Sequence, residues 1–325
     1  MTDLSIIIVT YKAWDRLRKC LESINSFTGD KFSFDVIVVD NNPDVSAIHD
    51  IEQQFNRFRF IHPGVNGGFA FGNNAGSLVA SGKYLLFLNP DTVVTETAVQ
   101  ALLDASASDQ HFSILTCRQT DEMGNETKVT GNFPHLNSLT GFQRALSKLF
   151  RSGIKADDHF VGIEPADWVS GSVIMISSSL YHSLGGFYEG FWMYYEDVDI
   201  CKRATEAGGK IGCLRNATIE HSHGGSSRID LKTTSITKSE VKISQHLYVS
   251  RHFKGIEKIL GQLLLTVNNL VTGIVLAAVG LIFFFIPKLF VNTLIFLRLV
   301  KYYTTLQRRS WISPRSVILT TEHEN

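Results

Sequence analysis

The chain has 325 residues, 44% of them apolar, and its 31 Lys and Arg residues balance 31 Asp and Glu residues. This length suits one large domain with an appendage. Zero net charge argues against a nucleic-acid-binding protein, which normally carries a basic excess, so no nucleic-acid partner is expected. The 22 Phe and 9 Tyr residues exclude a highly charged disordered chain. The four cysteines form no C-x-x-C pair, which argues against a zinc cluster or a disulfide scaffold and favours a reducing compartment.

Strand and helix patterns alternate over the first hundred residues. Short β-branched runs predict strands, and apolar residues at helical spacing predict helices between them. The predicted strands are 4–10, 34–40, 58–61 and 84–88, and the predicted helices are 14–27, 48–55, 70–81 and 95–106. This order predicts an α/β fold with a mostly parallel sheet flanked by helices on both faces.

The pattern is looser between residues 114 and 190. A strand is predicted at 168–176, a helix at 196–208, a short strand at 210–214 and a connecting helix at 232–253. The pair Gly208-Gly209 provides a stop signal for the second helix.

The C-terminal part of the chain is apolar and basic. No acidic residue occurs between Glu257 and Glu322, and residues 259–300 are nearly all apolar. An apolar run with basic flanks and no acids predicts a membrane-contacting helical segment. Residues 270–286 are slightly short for a spanning helix, and basic flanks on both sides do not choose an orientation. A monotopic hairpin or interfacial helices are therefore favoured over one span.

These patterns divide the chain into four expected parts. They are a main α/β domain at 1–230, a helical connector at 231–258, a membrane-associated helical segment at 259–310 and a polar tail at 311–325. The first apolar run, Ile6 to Val9, is too short for an export signal and follows Asp3 rather than basic residues. The bulk of the chain is therefore expected in the cytoplasm.

Polar residues follow three of the predicted strands directly. In a parallel sheet, ligands bind beyond the carboxyl ends of the strands. The residues at these ends are Thr10 and Tyr11, then Asp40, Asn41 and Asn42, then Asn89 and Asp91 with Pro90 between them. Any one of them could be a helix cap or a turn residue. Three such groups on one sheet favour a binding site.

Two common nucleotide-binding loops are missing from the sequence. The turn after the first strand, residues 10–14, contains no glycine, so the dinucleotide fingerprint of dehydrogenases is absent. No G-x-x-x-x-G-K-[ST] loop occurs either. The glycine-rich stretch lies at 66–76, between the third and fourth strands, where its glycines could make a turn or permit close helix packing.

Two further groups of residues could carry chemistry. Asp91 is a lone carboxylate at an apolar strand end, which suits Mg²⁺ or Mn²⁺ held jointly with substrate phosphates, and His221 could complete the shell. An aromatic run at 187–195 precedes Glu196, Asp197 and Asp199. Acids at a helix start can be explained by the helix dipole. The aromatic run before them favours a sugar-binding platform with a general base.

Taken in order, these motifs resemble glycosyltransferase family 2. The matching residues are 9–11, 38–42, 66–76, 88–92, 168–171, 185–187, 195–203 and His221. The resemblance covers residues 3–253 and is greatest to the rhamnosyltransferase-type branch, which builds bacterial surface polysaccharides. It implies a GT-A fold with residues 1–230 as the catalytic domain, a nucleotide-sugar donor, a divalent Mg²⁺ or Mn²⁺ ion, and inversion at the anomeric carbon.

The resemblance also implies roles for individual residues. Asp91 and His221 would contact the metal, and Asp197, or else Glu196, would be the catalytic base. Trp168, Gly171 and Trp192 would line the sugar and acceptor pocket. The residues that would bind the nucleotide-sugar are Thr10, Tyr11, Asp40, Asn42, Asn66, Gly67, Gly68, Asn73 and Asn89.

The implied acceptor is a lipid-linked saccharide at the cytoplasmic face of the bacterial inner membrane, which fits the apolar tail. The favoured donor is dTDP-rhamnose, and UDP-galactofuranose, UDP-hexose and GDP-sugars are the alternatives. A non-catalytic sugar-binding or scaffold subunit of a membrane assembly is the alternative of another class. A nucleotide-sugar pyrophosphorylase is disfavoured, because it should open with a glycine-rich phosphate loop after the first strand.

Overall fold

The computed structural model describes residues 2–108, 112–141, 143, 162–222, 230–305 and 310–318. These residues form two compact units. The first unit takes those within Met1–Phe133, His159–Tyr188 and Glu196–Ser226, and the second takes those within Pro134–Asp158, Glu189–Tyr195 and Ser227–Asn325. The predicted tail at 311–325 lies outside the described residues beyond position 318.

The first unit contains the strands and the first six helices. The strands are β1 Thr2–Thr10, β2 Phe34–Asp40, β3 Arg59–Ile61, β4 Gly82–Leu88, β5 Thr92–Val93, β6 Phe112–Thr120, β7 Glu126–Thr127, β8 Thr130–Gly131, β9 Ile163–Ala166, β10 Trp168–Val169, β11 Val173–Ser177 and β12 Lys210–His221. The helices are α1 Trp14–Asn25, α2 His49–Gln54, α3 Gly68–Ser77, α4 Glu96–Ser108, α5 Ser178–Ser183 and α6 Glu196–Glu206.

The main sheet is mixed, with a parallel half and an antiparallel insertion. Its strand order is β3-β2-β1-β4-β11-β6-β12-β5, and β7 and β9 pair off this path with β6 and β12. Strands β3, β2, β1 and β4 are all parallel. Strand β11 runs antiparallel to β4 and β6, whereas β12 runs parallel to β6. The parallel βαβ order predicted for the first hundred residues is confirmed.

The central strands are buried on both faces, as expected where helices cover a parallel sheet. Side chains alternate along β1, so Leu4, Ile6 and Ile8 enter one apolar core, while Ile7 and Val9 enter the other. Helices α1 and α4 contribute to the first core, and α6 contributes to the second. The continuous β-branched runs in the sequence reflect this two-sided burial.

Glycine lets α3 lie close to the sheet. A Cβ atom at Gly72 would come within 2.6 Å of Val9 Cγ1, and one at Gly76 within 2.6 Å of Ile7 Cγ2. Real Cβ contacts are longer than this, so larger residues would push the helix away from β1. The close packing that the sequence allowed for the glycine-rich stretch is therefore observed.

Two strand predictions need correction. The strand predicted at 168–176 is two strands, β10 and β11, which belong to different sheets. The chain turns between them, and the Val173 amide donates to the Ser170 carbonyl (3.4 Å). The strand predicted at 210–214 continues to His221 in β12, past a register shift between Leu214 and Thr218. Short-range patterns could not reveal these features, because distant strand partners create both.

The second unit contains three long helices, α7 Leu231–His252, α8 Gly255–Ile282 and α9 Pro287–Thr304. Helices α8 and α9 are antiparallel: Gly273 lies against Phe296, and Thr293 Oγ1 donates to the Ala277 carbonyl (3.0 Å). Residues 283–286 join them, and Pro287 begins α9 at a position where its missing N–H has no cost.

Among the described helices, α8 alone is long and apolar enough to cross a membrane by length and composition. Most of its large apolar side chains are exposed, including Val271, Ile274 and Val275, and Phe284 and Phe285 in the turn are each 67% exposed. The helix pair thus presents a large apolar surface that could contact a membrane.

Candidate active site

The ends of β1 and β2 place Thr10 directly beside Asp40, because the two residues are register partners in parallel strands. Both are fully buried, and Thr10 Oγ1 and Asp40 Oδ2 have no hydrogen-bond partner among the described residues. Burial raises the pKa of Asp40 to about 6. Nδ1 of His62 lies 3.9 Å from Asp40 Oδ2. Unpaired polar atoms at a strand end are what a nucleoside hydroxyl or base could satisfy.

The glycine-rich stretch lies against the end of β2. The Asn41 side chain donates to the Gly68 carbonyl (2.8 Å), and the Gly68 amide donates to Asn66 Oδ1 (3.2 Å). Asn73 donates to the Phe69 carbonyl (2.9 Å), and its buried Oδ1 has no partner. Gly68 has a φ of +87°, which favours glycine. Asn41 belongs to the strand-end group 40–42 that the sequence indicates, and its contact joins two segments distant in sequence.

Two other predicted nucleotide-binding residues are engaged locally. The Asn42 amide donates to Asp40 Oδ1 (2.9 Å), and the Asn42 side chain donates to the Asp44 carbonyl (2.6 Å). Tyr11 is half-buried beside Lys12, whose Nζ lies 5.3 Å from its ring centre. A Cβ atom at Gly67 would overlap the Phe71 side chain, so a larger residue there would require that side chain to move. The roles of these residues toward a nucleotide stay predictions.

Asp91 and His221 contact each other although they lie at the ends of different strands: Asp91 lies just after β4, and His221 is the last residue of β12. Antiparallel pairing of β5 with β12 sets His221 opposite Thr92, next to Asp91. His221 Nε2 lies 3.1 Å from Asp91 Oδ1 and 3.4 Å from Asn89 Nδ2. Both Asp91 and His221 are nearly buried, with 9% and 6% of their side chains exposed.

Two residues that the sequence analysis missed orient this pair. Gln119 Oε1 lies 2.9 Å from His221 Nδ1, so Nδ1 donates to Gln119 and the ring is oriented with Nε2 toward Asp91. Arg16 Nη1 lies 3.5 Å from Asp91 Oδ2 and also donates to the Ser222 carbonyl. Arg16 is close to the end of β1 in sequence, which is a weak signal, and no local pattern marks Gln119.

The pair fits a divalent ion that substrate phosphates also hold. In the described part of the chain, no group of three or more His, Cys, Asp or Glu side chains could hold a metal alone. Adjacent ligands of an octahedral Mg²⁺ or Mn²⁺ are about 3.0 Å apart, given metal–ligand distances of about 2.1 Å. The 3.1 Å between Asp91 Oδ1 and His221 Nε2 matches that separation. A carboxylate oxygen and an imidazole nitrogen are both atom types that can bind such an ion.

Asp197 is held at the start of α6 by backbone amides. Its Oδ2 accepts from the Gly171 amide (3.0 Å), and its Oδ1 accepts from the Val198 amide (2.8 Å). The turn between β10 and β11 thereby brings predicted pocket residue Gly171 to a predicted catalytic residue. Burial raises the pKa of Asp197, although these hydrogen bonds oppose the shift.

Glu196 is more completely buried than Asp197. Only 5% of Glu196 is exposed. Its Oε2 atom has no hydrogen-bond partner among the described residues. Burial and then the charge of Asp197 raise the pKa of Glu196 well above its usual value. Asp199 is paired with Arg203 (2.8 Å), whose guanidinium also binds the carbonyls that precede Phe187. Asp199 therefore has a structural role.

The two predicted tryptophans belong to different units. Trp168 packs on Gly131 in the two-stranded sheet of the first unit, and its indole N–H donates to the Asn132 carbonyl (2.9 Å). Trp192 belongs to the second unit, where Arg315 lies 5.4 Å from its ring centre. Their roles in sugar binding stay predictions.

The sequence matches the Glycosyl transferase family 2 over residues 5–168, half of the chain. The chain belongs to glycosyltransferase family 2. It is 29% identical over 216 residues to rhamnosyltransferase WbbL of Escherichia coli (strain K12), covering 62% of this chain and 77% of the relative. It is 25% identical over 239 residues to N-acetylglucosaminyl-diphospho-decaprenol L-rhamnosyltransferase of Mycobacterium tuberculosis (strain CDC 1551 / Oshkosh), covering 68% of this chain and 76% of the relative. These matches support the rhamnosyltransferase-type branch of family 2.

A solved structure has the same fold. The crystal structure of GalNAc-T7 with UDP, GalNAc and Mn²⁺ superposes with a TM-score of 0.53 at 16% sequence identity. The superposition covers 77% of this family 2 chain and 50% of that chain, so this chain spans half of that protein's length. At this identity the likeness concerns the fold alone, and it confirms the GT-A-type α/β fold predicted from the sequence.

Proposed function

We propose that this family 2 enzyme is an inverting, metal-dependent transferase that moves rhamnose from dTDP-rhamnose to a hydroxyl of a lipid-linked saccharide. The observation that carries the proposal is the Asp91–His221 pair, which has the spacing of adjacent metal ligands at the carboxyl edge of the sheet. The rhamnosyltransferase relatives favour rhamnose as the transferred sugar. UDP-galactofuranose, UDP-hexoses and GDP-sugars are the alternative donors.

The donor would bind along the carboxyl ends of β1, β2 and β4. Thr10 and Asp40 offer buried unpaired oxygens to the nucleoside. Asp91 and His221 would hold Mg²⁺ or Mn²⁺ together with the diphosphate. A divalent ion there supplies charge neutralisation for the departing nucleoside diphosphate. Arg16, 3.5 Å from Asp91, adds a positive charge on the same side.

Asp197 would act on the acceptor. Amides from Gly171 and Val198 fix its carboxylate, so it does not need to reorganise during the reaction. The raised pKa of Asp197 makes it a stronger base than an exposed aspartate. It would take the proton of the acceptor hydroxyl as that oxygen attacks the anomeric carbon from the face opposite the diphosphate. Placing the hydroxyl and the sugar in line supplies a large part of the acceleration.

The acceptor class is inferred from the apolar helices and from one relative. The name of the mycobacterial relative places its acceptor sugar on a decaprenol diphosphate. Helix α8 exposes a long apolar surface, and the chain has basic residues at both ends of this region, including Lys254 and Lys301. We therefore expect the enzyme at the cytoplasmic face of a bacterial inner membrane, held as a monotopic helical hairpin.

A donor screen tests the proposed function. The melting temperature of the purified protein is measured with dTDP, UDP and GDP, each with Mn²⁺ or with EDTA, and transfer from the corresponding sugar nucleotides is then assayed. We expect dTDP with Mn²⁺ to stabilise most and EDTA to abolish both stabilisation and transfer. Undiminished turnover in EDTA would show that the metal assignment is wrong. Stronger stabilisation by UDP or GDP would show that the donor is a UDP-sugar or a GDP-sugar instead of dTDP-rhamnose.

Substitution of Asp91, one residue of the proposed metal-binding pair, refines this test. Asp91→Ala should remove the Mn²⁺ dependence of nucleotide binding, because it removes the only charged ligand of the proposed site. Asp50→Ala is the matched control, since Asp50 is exposed on α2. The control should bind nucleotide with the wild-type dependence on Mn²⁺.

A further inference from the structure

A loop of aromatic residues leads directly into the predicted catalytic acids. The loop Glu189–Tyr195 belongs to the second unit and continues into α6 at Glu196. We call it the aromatic loop. Its last two residues, Tyr194 and Tyr195, have φ angles of 71° and 70°. Side-chain-bearing residues adopt this left-handed region only where surrounding contacts impose it. Later parts of the chain contact this loop along its length.

Residues 310–318, which follow the helical hairpin, contact the first half of the loop. The Ser313 amide donates to the Gly190 carbonyl (3.2 Å), and Ser316 Oγ donates to the Glu189 carbonyl (2.7 Å). The guanidinium of Arg315 lies over the Trp192 ring, 5.4 Å from its centre. Ser313 and Ser316 are each only 1% exposed. The 310–318 segment therefore binds the first half of the aromatic loop through both its backbone and its side chains.

The 310–318 segment is itself anchored on α7 and α9. Trp311 stacks on His246 at 4.4 Å between ring centres, and Arg315 Nε lies 3.8 Å from Glu240 Oε1. The Tyr302 hydroxyl donates to the Ile312 carbonyl (3.5 Å). Glu240 is 2% exposed, so its carboxylate is a fixed partner for Arg315.

Helix α7 holds the second half of the aromatic loop. Ser244 Oγ donates to the Met193 carbonyl (3.0 Å), and Gln245 Nε2 donates to the Tyr195 hydroxyl (3.2 Å). The Tyr195 ring also packs on Tyr248, with ring centres 5.6 Å apart. Together with the 310–318 segment, α7 satisfies three loop carbonyls and fixes two aromatic rings.

We propose that the 310–318 segment is a positioning element for transfer: together with α7, it holds the aromatic loop, which directly precedes Glu196 and Asp197 in the chain. This inference rests on the proposed function, in which Asp197, two residues after the loop, is the base. Arg315 and Ser316 are the positioning residues, because they bind Trp192 and Glu189 without being placed at the reacting atoms. Sequence alone gives no hint of this, since more than a hundred residues separate Ser316 from Glu189.

Hydrogen exchange and kinetics on the full-length protein test the proposal. The variants are Arg315→Ala with Ser316→Ala, and Arg315→Lys, which keeps the cation. Lys238→Ala is the matched control. It removes a cation from α7 at an exposed position, whereas Glu240, the partner of Arg315, is buried. Amide exchange is followed in peptides covering 189–195, which needs no substrate. The donor Kd, the acceptor KM and kcat are measured in parallel.

We expect the double variant to raise exchange in residues 189–195 about tenfold, the effect of losing one or two hydrogen-bond-strength contacts. Transfer should fall about 10- to 100-fold through kcat and acceptor KM, while the donor Kd stays within about twofold. Arg315→Lys should recover part of both effects. Lys238→Ala should change neither.

Three results would overturn the proposal. Unchanged exchange in residues 189–195 would show that the segment does not hold the loop, and raised exchange with normal transfer would show that the loop needs no holding. A loss of donor affinity equal to the loss of transfer would indicate general damage. If the double variant does not fold, Ser316→Ala alone serves the same comparison. Wild-type protein without transferase activity would instead refute the proposed function, while the exchange measurements would still decide whether the segment holds the loop.

Discussion

At the scale of single residues, two adjacent acids at the start of α6 have different surroundings. Asp197 accepts two backbone hydrogen bonds and is half-buried, whereas Glu196 is buried with one oxygen unpaired. A general base must be accessible to the acceptor and held in place. These surroundings favour Asp197 as the base and leave Glu196 as a neighbour whose charge is suppressed by burial.

Asp197→Asn should therefore lower kcat by about 10²- to 10⁴-fold, because it keeps the side-chain shape and removes the basicity. Donor affinity should not change. In the wild type, the pKa of Asp197 is raised by burial. As pH falls, Asp197 therefore becomes protonated at a higher pH than an exposed aspartate would, and kcat decreases with that protonation. Steady-state kinetics across pH and a nucleotide-binding titration provide the measurements.

Glu196→Gln is the companion variant and should have a milder effect. An inactive Glu196→Gln beside a near-normal Asp197→Asn would assign the base to Glu196. Near-normal transfer by both variants would reduce the acidic pair to a helix-start feature and would remove the mechanistic proposal.

At the scale of secondary-structure elements, the position of α3 depends on glycine. Gly76 faces β1 and β2, and an added Cβ atom would lie 2.6 Å from Ile7 Cγ2 and 3.2 Å from Val39 Cγ2. The helix carries Asn73 toward the ends of these strands, so its separation from the sheet also sets the width of the proposed donor site.

Gly76→Ala should lower the free energy of unfolding by about 1–3 kcal/mol, the usual effect of an overpacked core. Gly141→Ala is the control, because no described residue lies within 4 Å of a Cβ atom added at Gly141 and its φ is ordinary. Its effect should stay within about 0.5 kcal/mol. Denaturant unfolding of both variants measures the difference, and equal stabilities would show that β1 can move away from α3 without loss.

At the scale of the whole molecule, apolar and polar surfaces are separated along the chain. The exposed large apolar side chains belong mainly to α8, the turn at 283–286 and α9, although Leu78 in the first unit is 80% exposed. Deletion of everything after Gly255 would remove this surface, but it would also remove residues 310–318 and their contacts with the aromatic loop. Point substitutions therefore separate membrane binding from catalysis more cleanly than truncation.

Val275→Asp should weaken binding to anionic lipid vesicles about 100-fold, because a charge inside the apolar layer costs about 3 kcal/mol. Val275 is 60% exposed in the C-terminal half of α8. Leu78→Asp provides the matched control and should leave vesicle binding unchanged. Vesicle co-sedimentation measures both. Recovery of the wild-type protein entirely in the supernatant at low salt would contradict membrane association.

The amino-acid sequence by itself determined the parallel half of the fold. The strand predicted at 34–40 is observed as Phe34–Asp40, and the helix predicted from Trp14 begins there. Continuous β-branched runs and helical apolar spacing are local signals, and two-sided burial makes them strong. The same runs located Thr10, Asp40 and Asp91, because residues at strand ends follow directly from strand positions.

Tertiary structure alone decided which of these residues meet. His221 reaches Asp91, 130 residues away, through the pairing of β5 with β12, and Gly171 reaches Asp197 through the turn that splits the predicted strand. Gln119, Arg16 and Arg315 acquire their roles only through such long-range contacts. Strand pairing and side-chain packing between distant segments depend on the whole set of competing contacts, so no local pattern of residues encodes them.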